Sequence, residues 1–310
     1  MIAFVFPGQG SQIVGMGRDL SGAIPICRDV FEEADEALGF SLSRVCFEGP
    51  ESDLQMTAVA QPAILTVSVA ALRALGAEGF SPGVVAGHSL GEYSALVAAG
   101  GLAFRDAVRL VRARGLYMQE AVPVGRGTMA AIIGLDLEKL RQVCADAARE
   151  SNQVVSPANL NAPGQTVISG ATEAVQRAVA LAQQHGARRA VMLPVSAPFH
   201  CEMMAPAAQR LAVDIAASRF DDLRIPLVTN VDARPIQRAE DARTSLVRQV
   251  TAPVLWESCV NSLASMGVTK AIEVGPGKVL CGLIKRIAEG ILCAPAGDLT
   301  TLASARGVLS

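Results

Sequence analysis

The sequence predicts an α/β fold in which a strand–helix body is interrupted by a second, smaller strand–helix unit. Three observations carry this. Ile2–Phe6 and Val84–Ala86 are apolar at every position, as strands of a parallel sheet covered on both faces must be. Amphipathic helical stretches stand between such strands. Residues 127–194 run strand, helix, strand, strand, helix, strand, which is the order of a ferredoxin-like unit.

In chain order, the first strand stops at Pro7-Gly8-Gln9-Gly10. Residues 25–38 place Ile26, Val30, Phe31, Ala34 and Leu38 at helical spacing. Gln61–Leu75 reads as a buried helix, because its apolar core, Ala63–Leu72, has ten residues where a membrane span needs about 20. Ser81-Pro82-Gly83 is a turn before the strand 84–86, and a helix over 92–99 follows. Arg105–Glu120 is amphipathic, with Ala107, Leu110, Val111 and Met118 on its apolar side.

The inserted unit has strands at 128–135, 154–159, 165–169 and 189–193 and helices at 136–150 and 172–185. Asn161–Gly164 turns between its second and third strands, and Gly186 stops its second helix. Beyond it, 203–218 is a helix, 225–229 a strand, 245–250 the start of a helix and 270–274 a strand. The tail from about Ala294 has little patterning and is expected to be peripheral. The expected division is a core of 1–126 with 195–310 and a subdomain of 127–194.

The 310 residues are 51% apolar and 18% charged with net charge −2, which excludes global disorder and a bulk nucleic-acid binder. The N-terminal run MIAFVFPGQG has no basic segment and is read as neither signal peptide nor membrane anchor. Seven scattered cysteines without a Cys-x-x-Cys, and three histidines, argue against a disulfide framework and against a structural metal site. A reducing cytoplasm is the expected compartment.

Two glycine-rich turns fail as phosphate loops. Gly8 and Gly10 would need a third glycine where Ile13 stands, and Gly275-Pro276-Gly277-Lys278 is followed by Val279 rather than Ser or Thr. Gly87-His88-Ser89-Leu90-Gly91 is different. It matches G-x-S-x-G between a strand and a helix, the context of a nucleophile elbow. Ser89 would stand exposed at a helix N-terminus, where backbone N–H groups can stabilise an oxyanion.

A serine nucleophile needs a base. His88 is adjacent on a tight turn and points away, and His185 reads as a cation at a helix C-terminus. His200, in the loop Val195–Cys201, is therefore the favoured base. Asp106, Asp136 and Asp146 lie at helix starts or on helices between Ser89 and His200, and no HGGG segment is present. The site thus reads as a Ser–His dyad on an α/β-hydrolase-like core with a parallel sheet plus the inserted ferredoxin-like subdomain.

Six segments together resemble the malonyl-CoA:acyl-carrier-protein transacylases. They are Phe6–Gln12, Gly87–Ala95, Arg112–Gly115, Ala158–Gln165, Pro198–His200 and Glu273–Gly277, in the family's order over roughly residues 1–290. The resemblance implies that Ser89 is acylated, that His200 is the base and that the backbone carbonyl of Gln249 orients it in place of a carboxylate. It implies an oxyanion hole from the backbone N–H groups of Gln9 and Leu90. It also makes Arg114 the partner of the malonyl carboxylate, where a planar fork suits an anion. Without the family, Arg114 would read as one more solvated charge beside Arg105, Arg109 and Arg112. Phe199 resembles the form of the loop associated with malonyl rather than methylmalonyl groups.

The implied reaction is ping-pong transfer of malonyl from malonyl-CoA to the phosphopantetheine thiol of holo-acyl carrier protein, supplying fatty acid synthesis. No metal or redox cofactor, nucleic acid or membrane is involved, and a monomer is expected. Carrier proteins of the family's pathways are typically acidic, and Arg188, Arg189, Lys278, Lys285 and Arg286 are candidates for docking one. Two rivals remain open at this point: a serine hydrolase using the same elbow, and a non-catalytic CoA-binding scaffold. Polyketide or malonate-decarboxylase service is a closer alternative.

Overall fold

Strands apolar on both faces need cover on both, and Ile2–Phe6 has it. In the computed structural model, which describes residues 1–195 and 197–309, this segment is β1, inside a six-stranded sheet. The helices α1 (Arg18–Ala23), α2 (Pro25–Leu38), α3 (Leu42–Glu48), α4 (Glu51–Gln55) and α5 (Thr57–Ala77) precede β2 (Val84–Gly87), which pairs with β1 in parallel. Next come α6 (Gly91–Ala98) and α7 (Phe104–Glu120). The middle of the chain forms β3 (Gly127–Ile133), α8 (Leu137–Ser151), β4 (Val155–Ala162), β5 (Gln165–Ala171), α9 (Thr172–Gln184) and β6 (Arg189–Met192). After a single turn at Glu202–Met204, the chain continues as α10 (Ala205–Ala217), β7 (Leu227–Val228), β8 (Pro235–Ile236), α11 (Ala239–Gln249) and α12 (Trp256–Ser265). It closes with β9 (Lys270–Val274), α13 (Val279–Ile287), β10 (Leu292–Ala296) and α14 (Leu299–Leu309).

The large sheet has the order β10-β9-β1-β2-β7-β8 and is parallel except for the short β7–β8 pair. The smaller sheet, β4-β5-β3-β6, is antiparallel throughout, and its order is that of a ferredoxin-like unit. Its Ile132 and Ile168 pack with Leu140 of α8 and Ala178 of α9. Residues from its other face, Met129 and Val167, join the main core. Where β4 meets the large body, Val254 donates to the Ala158 carbonyl and Leu160 to the Val254 carbonyl, both at 2.9 Å.

Helix α5 has the length and apolarity to cross a membrane, yet it lies inside the core, with Val59 to Ala71 buried throughout. Pro62 sits within it and has no N–H to offer the Ala58 carbonyl one turn back. Arg112 on α7 supplies the missing donor, its Nη1 lying 2.6 Å from that carbonyl. Gly115 lets the two helices touch, since a Cβ there would come within 2.6 Å of the Ala58 Cα. Arg112 and Gly115 thus lock α7 onto α5, with Arg114 between them in sequence.

Three expectations need correction. Residues 245–250 do not start a helix but close one, α11, whose first turn is polar and carries no apolar stripe to read. The tail is not peripheral: β10 extends the large sheet beside β9, and α14 buries Leu302, Ala305 and Leu309. An edge strand exposed at Leu292 and interrupted by Pro295 carries too weak an alternation to be read. Cys281 and Cys293, distant in pattern but adjacent in space, form one disulfide between α13 and β10 with Cα atoms 5.2 Å apart. The other five cysteines are free and buried.

Candidate active site

The G-x-S-x-G turn is tight because both glycines are sterically required. A Cβ on Gly87 would lie 1.9 Å from the Gly91 carbonyl carbon, and one on Gly91 would lie 2.1 Å from the Phe6 carbonyl oxygen. Ser89 consequently has a left-handed backbone, with φ of 51°. Its N–H is held by Asn230 Oδ1 at 2.7 Å, while Asn230 Nδ2 donates to the Gly87 carbonyl at 2.6 Å. One asparagine side chain therefore spans the elbow. His88 turns away from Ser89, as the sequence suggests, and its Nε2 meets Asn161 Oδ1 at 2.8 Å.

His200 also has a left-handed backbone, with φ of 59°. Its Nε2 is 2.7 Å from Ser89 Oγ and its Nδ1 is 2.9 Å from the Gln249 carbonyl oxygen. That carbonyl is free for a local reason. Gln249 ends α11, and the residue that would donate to it in a longer helix is Pro253, which has no N–H. With the Nδ1 proton held by a carbonyl, Nε2 is the lone-pair nitrogen facing the serine. Burial drives the His200 pKa down to about 3, the nearby Arg114 charge acts the same way, and the bond to Gln249 resists. The imidazole is therefore neutral and able to accept a proton at physiological pH.

Arg114 is 2% exposed rather than solvated. Its Nη1 donates to Gln61 Oε1 at 2.7 Å, and its Nη2 donates to Gln249 Oε1 at 3.0 Å and to Ser89 Oγ at 3.1 Å. Its Nε has no hydrogen-bond partner. Desolvation lowers its pKa, while Tyr93 and Glu92 oppose the shift. No carboxylate lies within ion-pair distance of it among the described residues. A buried guanidinium held only by neutral oxygens is a receptor for an anion.

A cavity of about 450 Å³ runs over this group, lined by Gln9, Ser89, Leu90, Arg114, Phe199 and His200 among others. The Leu90 and Gln9 backbone N–H groups donate to no other group among the described residues, so both are available at the cavity. Thr57 ties the Gln9 side chain to the rest: its Oγ1 donates to Gln9 Oε1 at 2.7 Å and accepts from Gln61 Nε2 at 3.1 Å. Phe199 is 8% exposed and packs in the main core beside the cavity. Among the described residues, no group of three or more His, Cys, Asp or Glu side chains is arranged to hold a metal ion.

Six of the seven residues singled out in the sequence line this one cavity, and the seventh, Gln249, is buried behind it in contact with His200 and Arg114. Sequence reasoning missed Asn230, Gln61, Asn161 and Glu92 as structural partners, and it assigned Gln249 a role for its carbonyl alone. Glu92 was visible within the elbow segment and Asn161 within the 158–165 segment. Asn230, in a turn two residues beyond a two-residue strand, left no pattern to read.

The acyl transferase domain family matches residues 3–294. The malonyl CoA-acyl carrier protein transacylase of Escherichia coli strain K12 is 50% identical over 304 residues, covering 98% of each chain. The Bacillus subtilis strain 168 protein of the same name is 48% identical over 301 residues, covering 97% of this chain and 95% of its own. Among solved structures, the malonyl CoA-acyl carrier protein transacylase of Coxiella burnetii superposes with a TM-score of 0.96 at 46% identity, covering 99% of this chain and 97% of that one. A malonyl-transacylase in complex with its type II PKS acyl-carrier protein gives 0.95 at 47% identity, covering 98% of both. The chain belongs to the acyl transferase domain family and is an acyltransferase.

Proposed function

We propose that the chain transfers malonyl from malonyl-CoA to the phosphopantetheine thiol of holo-acyl carrier protein for fatty acid synthesis, through a malonyl ester on Ser89. The observation that carries this reading is a Ser–His–carbonyl chain and an uncompensated buried guanidinium in one cavity. His200 Nε2 takes the Ser89 proton as Oγ attacks the thioester carbonyl. The oxyanion forms against the N–H groups of Leu90 and Gln9. As the tetrahedral adduct collapses, CoA leaves with the proton from His200. The carrier thiol then gives its proton to the same nitrogen and attacks the ester, and Ser89 recovers its proton. Arg114 pairs with the malonyl carboxylate, and Phe199 limits room beside the α-carbon. No metal or redox cofactor enters the scheme.

The carrier protein is the second partner. Arg188, Arg189, Lys278, Lys285 and Arg286 are all exposed. Arg286 donates to Gln165, a cavity-lining residue, and to the Pro163 carbonyl. Gly134 packs on Arg188 and donates to the Gly164 carbonyl at 2.8 Å. These contacts set Arg286 and Arg188 on either side of the 163–165 turn at the cavity edge, a basic edge suited to an acidic carrier. The reading also includes a cytoplasmic monomer divided into 1–126 with 195–310 and 127–194. The deciding experiment is intact mass after malonyl-CoA, followed by a chase with holo-acyl carrier protein. A malonyl adduct discharged by the carrier supports the reading, and discharge by water alone would replace it with hydrolysis.

A further inference from the structure

We propose that Glu92 is a positioning residue that aims the Arg114 guanidinium through the side chain of Gln249, and thereby sets how strongly an acyl group bearing a carboxylate is preferred. This rests on the reading of Arg114 as the partner of the malonyl carboxylate. Glu92, on α6, is 1% exposed and touches neither cavity nor solvent. Three donors converge on it. The Asn230 N–H and Gln249 Nε2 each lie 2.9 Å from Oε2, and Ser245 Oγ lies 3.0 Å from Oε1. The two groups at Oε2 are N–H donors, so that oxygen acts as an acceptor.

Glu92 makes no ion pair among the described residues. It is linked to a cation through one amide. Gln249 Nε2 donates to Glu92, and Oε1 of the same amide accepts from Arg114 Nη2 at 3.0 Å. An amide has one donor end and one acceptor end. The carboxylate claims the donor end, with help from the Ser89 carbonyl at 3.1 Å, so the acceptor end must face Arg114. A carboxylate in direct contact would occupy the fork and compete with an incoming anion. Set one amide back, it orients the fork and leaves it available.

The test measures malonyl-CoA and acetyl-CoA transfer side by side in wild type, Arg114→Ala, Glu92→Gln and Ser245→Ala, with thermal melts to establish folding. Glu92→Gln should raise KM for malonyl-CoA about tenfold and leave the slow acetyl transfer within about twofold. Ser245→Ala removes one donor without touching Gln249, and should raise malonyl KM about two- to threefold with the same selectivity. Equal losses on both substrates would make Glu92 a support of the elbow and overturn the proposal, as would an unchanged malonyl KM. Should Glu92→Gln fail to fold, Ser245→Ala carries the test under the same criteria. Arg114→Ala separates the two levels: if it lowers both substrates alike, the reading of Arg114 falls, whatever Glu92→Gln does.

Discussion

Ser89 and Arg114 lie 3.1 Å apart but are held in place by different means. Around Ser89 most of the work is done by backbone: two glycines that admit no Cβ, a left-handed residue, a carbonyl freed by Pro253 and N–H groups at the start of α6, with the Asn230 side chain bracing the turn. Around Arg114 it is done by side chains from distant parts of the chain, Gln61 at a separation of 53 residues and Gln249 at 135. The backbone-built half is all-or-none, since its geometry survives most substitutions and fails at glycine. The half built from side chains can be graded one contact at a time.

The largest effect should come from Ser89→Ala. It removes the oxygen and keeps the elbow, so intact mass should show no malonyl adduct while the melting temperature stays at or near the wild-type value; transfer at a normal rate would break the division between chemistry and scaffold. Arg114→Ala should come next. A charge-assisted bidentate pair contributes roughly 2–4 kcal/mol, so malonyl kcat/KM should drop about 30- to 1000-fold while acetyl transfer is retained. Arg114→Lys should recover only part of this, since an ammonium lacks the planar fork.

Gln249→Ala sharpens the comparison, because one residue serves both halves. Its carbonyl still holds His200, and its lost amide releases Arg114, Glu92 and the Ser89 carbonyl. Malonyl KM should rise about tenfold with acetyl turnover nearly intact. The family resemblance alone, which credits only the carbonyl, predicts a mild effect on both substrates.

The smallest effect is in the pH profile. His200 has a folded pKa near 3, below the roughly 6.5 of an unfolded histidine. Above about pH 6.5 both states are neutral and the group exerts no pH effect on stability; between about 6.5 and about 3 the unfolded chain takes up the proton first and stability declines. The acid limb of acyl-enzyme formation, read by rapid quench, should therefore lie well below 6.5. Because Arg114 contributes to the depression, Arg114→Ala should move that limb upward; an unmoved limb would mean the two halves are electrically independent.

This difference in construction also explains what could be read from the chain. Gly87, Ser89 and Gly91 are contiguous because a tight turn is local, so the elbow was legible from spacing alone. The β3-to-β6 order followed from strand periodicity. Arg114 was not legible on physical grounds: four arginines along one helix look alike until Pro62 and Gly115 fix which face meets α5. The resemblance to a family, rather than periodicity, singled it out. Asn230 and the amide of Gln249 were invisible because each acts across more than 130 residues and belongs to no short pattern. β10 escaped because an exposed edge strand broken by Pro295 shows too weak an alternation, and α14 because its buried Leu302, Ala305 and Leu309 are too few to mark a helical stripe.

Ser89 and His200 share a left-handed backbone, which costs a residue with a Cβ about 1–2 kcal/mol at each position. Glycine would relieve that cost at both. At position 200 the gain would be outweighed by the cavity and the unpaired Gln249 carbonyl left behind, whereas at position 89 only a small hydroxyl is lost, and there resilience and turnover pull in opposite directions. Threonine offers no compromise at position 89 despite its hydroxyl, since a β-branched residue tolerates this backbone even less well. The hydroxyl is confined to serine by the shape of the turn as much as by its chemistry.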